Sequence, residues 1–205
     1  MSTASVEPVS EPKEMKSGLP VIAFVDSAEW ERWLAGQHAE STGLWLKLAK
    51  KGSAITTVSY AEAVDVALCY GWIDGQAGSY DVAFWLQRFT PRGRRSKWSK
   101  INRDKVAVLV GADRMQPAGL AAVEAAKSDG RWAAAYEPPS TATVPPDLQE
   151  ALDANPDAAA SWETLNRTNR YAVIYRVNDA KKPETRARRI EQFIAMLCRG
   201  EKLHP

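Results

Sequence analysis

Alternation of apolar and polar residues predicts a small β-sheet. Leucines occupy every second position from residue 44 to 48, a period-two pattern typical of a strand with one buried face, and residues 44–50 are therefore expected to form a strand. Two more strands are expected at residues 72–76 and 83–90, joined through a turn rich in glycine, serine and aspartate. Pro91 should end the last strand, because proline has no amide hydrogen for the sheet.

Helical periodicity surrounds these strands, and several helix starts carry capping residues. Asp26 with Glu29, and Ser59 with Glu62, have the spacing of N-terminal caps. Pro117 suits the first turn of another helix, because its missing amide hydrogen would have no partner there.

One further helix is expected to follow the basic residues after Pro91. It should open at Ser96 or Ser99 and end at Gly111, with Ile101, Val108 and Leu109 facing inward. In the helix that begins at Pro117, Leu120 and Val123 are expected to face inward.

The chain is expected to have four parts. Residues 1–20 are rich in Ser, Pro, Glu and Lys, so a disordered tail is predicted. Residues 21–136 contain the strands and should form an α+β domain. Residues 137–147 hold four prolines and are typical of a linker, and residues 148–205 should form a helical C-terminal region packed on or tethered to the first domain. The predicted fold class is α+β: a small antiparallel sheet covered by helices, followed by a helical region.

Composition narrows the class of protein. With 205 residues, 45% of them hydrophobic, the chain can bury a substantial core. No apolar run reaches the ~18 residues of a membrane span, and the start lacks the apolar stretch of a secretory signal. Two widely separated cysteines fit a reducing compartment, so a cytoplasmic protein is expected. The two histidines lack partners at metal-ligand spacing, so no metal or cofactor is expected.

Positive charge is concentrated in one segment. Residues 88–105 carry a net charge of +7, whereas the whole chain carries +2. The segment offers the planar guanidinium donors of arginine, serine hydroxyls and the N-terminus of the helix that follows. These groups suit the binding of an anionic ligand such as a phosphate group. A solvated cationic surface whose serines merely cap a helix would have the same composition. The candidate ligand-binding residues are Arg92, Arg94, Arg95, Lys97, Trp98, Ser99, Asn102 and Arg103.

Acid/base catalysis, stacking on nucleic-acid bases and a second anion-binding site have weaker support in the sequence. Asp74 and Asp81 could form an acid/base pair, but aspartates beside a hairpin are more often turn residues. Trp85, Phe89 and Trp98 lie among the basic residues and would suit stacking on bases, yet a net charge of +2 is low for a nucleic-acid-binding protein. The arginines of the last predicted helix could form a second anion-binding wall or a solvated face.

Several phrases together resemble the YdeI/OmpD-associated family, also called bacteriocin-protection proteins. The resemblance spans roughly residues 24–200 and includes ALCYGWIDGQ (67–76), RFTPR (88–92), SKWSKIN (96–102), PAGL (117–120), EAAK (124–127), DGRW (129–132), AY (135–136), AK (180–181), ETR (184–186) and RRI (188–190). It implies a role in protection against bacteriocins or antimicrobial peptides, and it supplies no catalytic residues. Such peptides are usually cationic, so the basic segment would repel them.

The sequence thus leads to one favoured function and two alternatives. The favoured one is a cytoplasmic, non-enzymatic binding protein of the bacteriocin-protection type, with an anionic small molecule or a protein as partner. The first alternative is an enzyme that acts on a phosphorylated or nucleotide-like small molecule. The second, less favoured, is a nucleic-acid-binding protein.

Overall fold

The computed structural model describes residues 14–205. The chain divides into two compact units. The first unit comprises the chain through Trp98 together with Asn102–Ala135, and the second comprises Ser99–Ile101 together with Tyr136–Pro205. The division after Ala135 lies at the start of the proline-rich segment that the sequence predicts as a linker.

A five-stranded sheet forms the centre of the first unit in the described part of the chain. The strands occur in the spatial order β1-β2-β3-β5-β4. They are β1 (Met15–Lys16), β2 (Leu19–Ala23), β3 (Leu44–Ala49), β4 (Trp72–Ser79) and β5 (Phe84–Pro91). The three predicted strands are present, and the α+β fold class is confirmed.

The sheet is mixed, which corrects the prediction of a purely antiparallel one. Strand β2 pairs with β3 in parallel, whereas the other neighbouring strands are antiparallel. The direction follows from the helix α1 (Ser27–Gln37) between β2 and β3, because a helical crossover returns the chain in the same direction. The sequence prediction omitted β1 and β2, which are short and lie towards one edge of the sheet.

The predicted tail also ends earlier than expected. Residues 15–16 and 19–20 lie in the β1–β2 hairpin, so within residues 14–20 the prediction of disorder is wrong. The backbone pairing supplies hydrogen bonds that composition alone does not reveal. The rest of the predicted tail, residues 1–13, lies outside the described residues.

Helix starts follow the capping signals in the sequence. The Asp26 carboxylate accepts a hydrogen bond from the Glu29 amide at 2.8 Å, at the start of α1. Ser59 and Glu62 form both halves of a capping box at the start of α2 (Tyr60–Cys69). The helices α3 (Lys100–Gly111) and α4 (Pro117–Ser128) also begin close to the predicted positions. These predictions are confirmed.

The core of the first unit lies on one face of the sheet. The three leucines of β3 are at most 2% exposed and belong to one apolar cluster with Trp30 and Leu34 of α1. The Trp30 indole donates a hydrogen bond to the Ala63 carbonyl of α2 at 3.1 Å, which satisfies its polar atom inside the core. A smaller apolar cluster contains Trp45 of β3 and Leu86 of β5. Leu44 and Leu46, on either side of Trp45 in the sequence, belong to the main core.

The inward face of α3 differs from the prediction. Ile101 and Val108 are 47% and 71% exposed, whereas Val106 and Leu109 are buried. Leu120 in α4 is likewise 43% exposed. Apolar residues lie on more than one side of these helices, so the pattern alone does not determine which side packs on the sheet.

The second unit is helical, as predicted for the C-terminal region. Its helices in the described chain are α5 (Pro146–Asp153), α6 (Pro156–Thr164), α7 (Arg167–Asn178) and α8 (Pro183–Cys198). They share a separate apolar core, against which Ala142 and Val144 of the proline-rich segment also pack. No helix within residues 14–205 has both the length and the apolarity needed to cross a bilayer.

Candidate anion-binding site

The basic loop, residues 92–97, leaves the end of β5 as a tight turn. The Ser96 amide donates to the Gly93 carbonyl at 3.0 Å, and the Gly93 amide donates to the Ser96 hydroxyl oxygen at 3.0 Å. The Arg92 amide donates to the Gly71 carbonyl at 2.9 Å. Local hydrogen bonds therefore fix the backbone from which the loop side chains project.

Arg92 supports this loop from the inside. Its guanidinium carbon lies 3.6 Å from the centroid of the Trp98 ring, and its Nη1 donates to the Lys97 carbonyl at 3.2 Å. Trp98 is only 1% exposed and contacts Trp132 edge-on at a centroid distance of 4.8 Å. The stacked pair therefore holds the two ends of the loop together.

Arg131 holds the loop from a second direction. Its Nη1 donates to the Ser96 carbonyl at 3.0 Å, while its Nε lies 2.9 and 2.8 Å from the two carboxylate oxygens of Asp129. These hydrogen bonds from Arg131 are the main reason that the pKa of Asp129 is lowered, and the charge of Arg94 lowers it further. Arg131 was not a predicted site residue. Its only signal in the sequence was its place in the phrase DGRW.

Exposed cations remain at the surface of the turn. Arg94, Arg95 and Lys97 are all exposed. No hydrogen bond or ion pair joins the Arg94 or Arg95 side chain to another residue of the described chain, although Arg94 is close enough to Asp129 to influence its pKa. The loop therefore presents two guanidinium groups to solvent on a constrained backbone.

The other predicted site residues have structural contacts. Trp98 and Ser99 are buried, so neither presents a surface to a ligand in this structure. The Arg103 Nη1 donates to the Trp132 carbonyl at 2.9 Å. Asn102 is half-buried on α3. The structure thus divides the eight predicted residues into exposed cations and residues that are partly or fully buried.

Ser99 belongs to the second unit. It forms an isolated β-bridge with Tyr136, and the neighbouring Lys100 amide donates to the Tyr136 carbonyl at 2.9 Å. The Lys100 ammonium also lies 3.3 Å from the Glu137 carboxylate.

The two aspartates considered for acid/base chemistry have different environments. Asp81 accepts hydrogen bonds from the amides of Ala83 and Phe84 at 2.8 and 2.7 Å, as a turn residue does. Asp74 accepts a hydrogen bond from the Tyr60 hydroxyl at 2.7 Å.

The arginines of the last helix mostly contact their own unit. Arg186 forms two hydrogen bonds with the Asp147 carboxylate, at 2.5 and 2.8 Å, and donates to the Val177 carbonyl at 3.0 Å. Arg199 pairs with Glu201. These contacts stabilise the helical unit and favour a structural role for Arg186 over the second anion-binding wall.

Cys69 lies fully buried at the end of α2. Burial raises the pKa of its thiol to about 11, so the reactive thiolate is scarce near neutral pH. The described residues contain no group of three or more His, Cys, Asp and Glu side chains that could hold a metal ion.

Comparison with known families separates the two parts of the chain. Residues 22–122, which include the basic loop, match a model described as Domain of unknown function (DUF8412). Residues 141–200 match a model described as Bacteriocin-protection, YdeI or OmpD-Associated (OmdA). This OmdA match lies within the second unit. The resemblance to this family is therefore confirmed in the C-terminal region, where the OmdA match includes the phrases from residue 180 onward.

The earlier phrases lie outside the OmdA match. Those in residues 67–120 lie within the DUF8412 match, and those in residues 124–136 lie within neither match, so the OmdA match does not extend to the basic loop. No curated protein and no solved structure matches the chain. The OmdA match suggests a function associated with bacteriocin protection.

Proposed function

We propose that this chain is a non-enzymatic, cytoplasmic binding protein of the bacteriocin-protection type, which recognises an anionic small molecule through the basic loop. Arg94 and Arg95 would contact the anion directly, with Lys97 adding positive charge. Arg92, Trp98 and Arg131 would hold the loop in place without touching the ligand.

The observation that carries this proposal is the pairing of exposed arginines with a constrained backbone. Arginine presents planar donor pairs that match carboxylate and phosphate oxygens. A loop already ordered before binding loses less conformational entropy when the ligand arrives. The turn hydrogen bonds, the Arg92–Trp98 stack and the Arg131 contact supply that order.

The positive charge of the segment around the loop favours an anionic ligand over a cationic peptide. Protection against cationic peptides would then be indirect. The segment around the loop carries +7, which attracts phosphate groups and repels cationic peptides. The burial of Phe89 and Trp98 removes two of the three aromatic rings considered for stacking on nucleic-acid bases. The free cysteines, Cys69 and Cys198, support a reducing location.

A thermal-shift screen tests this function. The full chain is melted with inorganic phosphate, ATP, a single-stranded oligonucleotide and a cationic antimicrobial peptide, each at low and high salt. A ligand at 100 times its dissociation constant stabilises the folded state by about 2.7 kcal/mol. At roughly 2–4 °C per kcal/mol for a protein of this size, the melting temperature should rise by about 5–10 °C.

The pattern of shifts distinguishes the candidate functions. We expect phosphate or ATP to shift the melting temperature, with a response that persists at high salt. A shift with the oligonucleotide alone, lost as salt rises, would assign the loop to a nucleic-acid backbone instead, because phosphate contacts release counterions. A shift with the cationic peptide alone, or with none of the four, would refute anion recognition.

A further inference from the structure

A groove of about 390 Å³ lies within the second unit. Its volume falls in the range of roughly 300–1,000 Å³ that is usual for small-molecule sites. The walls come from the proline-rich segment after Glu137 and from α6 and α7. These elements lie largely within the OmdA match, and the basic loop contributes nothing to them.

Apolar side chains form much of this groove. Trp162 of α6 and Ile174 of α7 are 4% and 6% exposed, and both belong to the core of the unit. Ala142, Val144 and Leu165 are partly buried against the same core and complete the apolar surface. An apolar group that entered the groove would therefore leave water for a preformed hydrocarbon surface.

The charged lining residues are both arginines, and among residues 14–205 no acidic residue lines the groove. The Arg170 guanidinium is already occupied, because it donates to the Glu163 carboxylate at 2.9 Å and to the Leu165 carbonyl at 3.1 Å. Arg167 is exposed, and no hydrogen bond or ion pair ties its side chain to another residue of the described chain.

The position of Arg167 adds to the positive potential of this groove. It is the first residue of the 12-residue helix α7, where the helix dipole is positive. Asn166, the capping residue, accepts a hydrogen bond from the Asn169 amide at 2.9 Å. The apolar lining thus lies beside an unpaired guanidinium at a positive helix end.

We propose that this groove binds an amphipathic carboxylate, with the apolar body on the partly buried Ala142, Val144 and Leu165 and the carboxylate paired with Arg167. Two sources share this chemistry: a free medium-chain acid and the C-terminal residue of a peptide that ends in an apolar side chain. The site is separate from the basic loop and does not depend on its proposed function.

Titrations followed by ¹H–¹⁵N NMR of the full chain test the proposal. The probes are octanoate and N-acetyl-Leu-Phe, each compared with its neutral amide, and acetate as a carboxylate without an apolar body. We expect both acids to shift the amide signals of α6 and α7. The amides and acetate should bind at least about tenfold more weakly, because each lacks either the charge-assisted contact or the buried apolar area.

Matched variants locate the carboxylate contact. Arg167→Gln should weaken octanoate binding by about tenfold or more. Arg176→Gln removes the same charge from an exposed position on the same helix, outside the groove lining, and should leave the affinity within about twofold. An Arg94→Ser, Arg95→Ser double variant should also bind octanoate normally, which separates this site from the basic loop.

The relative affinities of the two acids identify the source of the carboxylate. Similar affinities for the two acids would support recognition of either source, whereas tighter binding of N-acetyl-Leu-Phe would assign the groove to peptide C-termini. The proposal would be overturned if acid and amide, or octanoate and acetate, bound with equal affinity. It would also be overturned if Arg167→Gln and Arg176→Gln lost octanoate affinity equally, or if no amide signal of α6 and α7 shifted.

Discussion

Substitution of Gly119 by alanine should destabilise the first unit strongly. Gly119 is a buried residue of α4 that packs against the end of α2. A Cβ atom at this position would lie 2.2 Å from the Cys69 carbonyl oxygen and 2.8 Å from the Leu68 carbonyl oxygen. The same Cys69 oxygen accepts a hydrogen bond from the Gln116 amide at 3.0 Å. The close approach of the two helices therefore requires glycine.

The expected cost combines three contributions. Overpacking against fixed backbone costs about 1–3 kcal/mol, and loss of the bond between Gln116 and Cys69 would add about 1 kcal/mol or more. Against these, alanine gains about 0.8–1 kcal/mol of helix propensity over glycine. The net loss should be about 1–3 kcal/mol, which corresponds to roughly 2–12 °C in melting temperature.

Urea denaturation followed by tryptophan fluorescence is a suitable assay. Seven of the eight tryptophans lie in the first unit, so the signal reports mainly on its unfolding. The control is Gly36→Ala in α1, where the new Cβ would meet no atom within 4 Å. That variant should be more stable than the original by about 0.5 kcal/mol. A Gly119→Ala variant as stable as Gly36→Ala would refute the close helix contact.

Three further predictions concern capping, acid stability and thiol reactivity. Ser59→Ala should cost about 1 kcal/mol in urea unfolding and Ser59→Gly only a few tenths, because glycine is tolerated at a helix N-cap; equal costs would contradict the role of the capping box. The hydrogen bonds from Arg186 lower the pKa of Asp147, so this pair stabilises the fold above about pH 4 and the effect is lost as pH falls through the lowered pKa. Asp147→Asn should therefore lose stability at pH 6 and show a weaker acid dependence in circular dichroism melts between pH 6 and 2; an unchanged pH dependence would contradict this assignment. At pH 8 a thiol reagent should modify the exposed Cys198 quickly and the buried Cys69, with its pKa of about 11, only on unfolding; equal rates would contradict the burial of Cys69.

Local signals in the sequence predicted the positions of helices and strands well. Caps such as Asp26 and Ser59 act within four residues of the chain, so their meaning depends little on the rest of the fold. The alternating leucines of β3 likewise identified a strand with a buried face. The OmdA resemblance in the C-terminal region also came from short phrases, and the family match confirms it there.

Features set by contacts between distant residues could not be predicted in the same way. The parallel pairing of β2 with β3 depends on a partner more than twenty residues away. The burial of Trp98 depends on Trp132, and the position of the basic loop depends on Arg131. Charge identified the segment, but only the tertiary contacts separate the exposed Arg94 and Arg95 from the stacked Arg92 and the bonded Arg103.

The most direct test of anion recognition is the affinity of three proteins for ATP, measured by isothermal titration calorimetry. They are the original chain, the Arg94→Ser, Arg95→Ser double variant and an Arg32→Ser, Arg188→Ser control that removes two exposed arginines elsewhere. We predict binding by the original chain and the control, and a loss of at least about 100-fold in the loop variant, because two charge-assisted contacts disappear. Its melting temperature without ligand should be unchanged. Equal ATP affinity in all three proteins, or no binding by the original chain, would contradict the account.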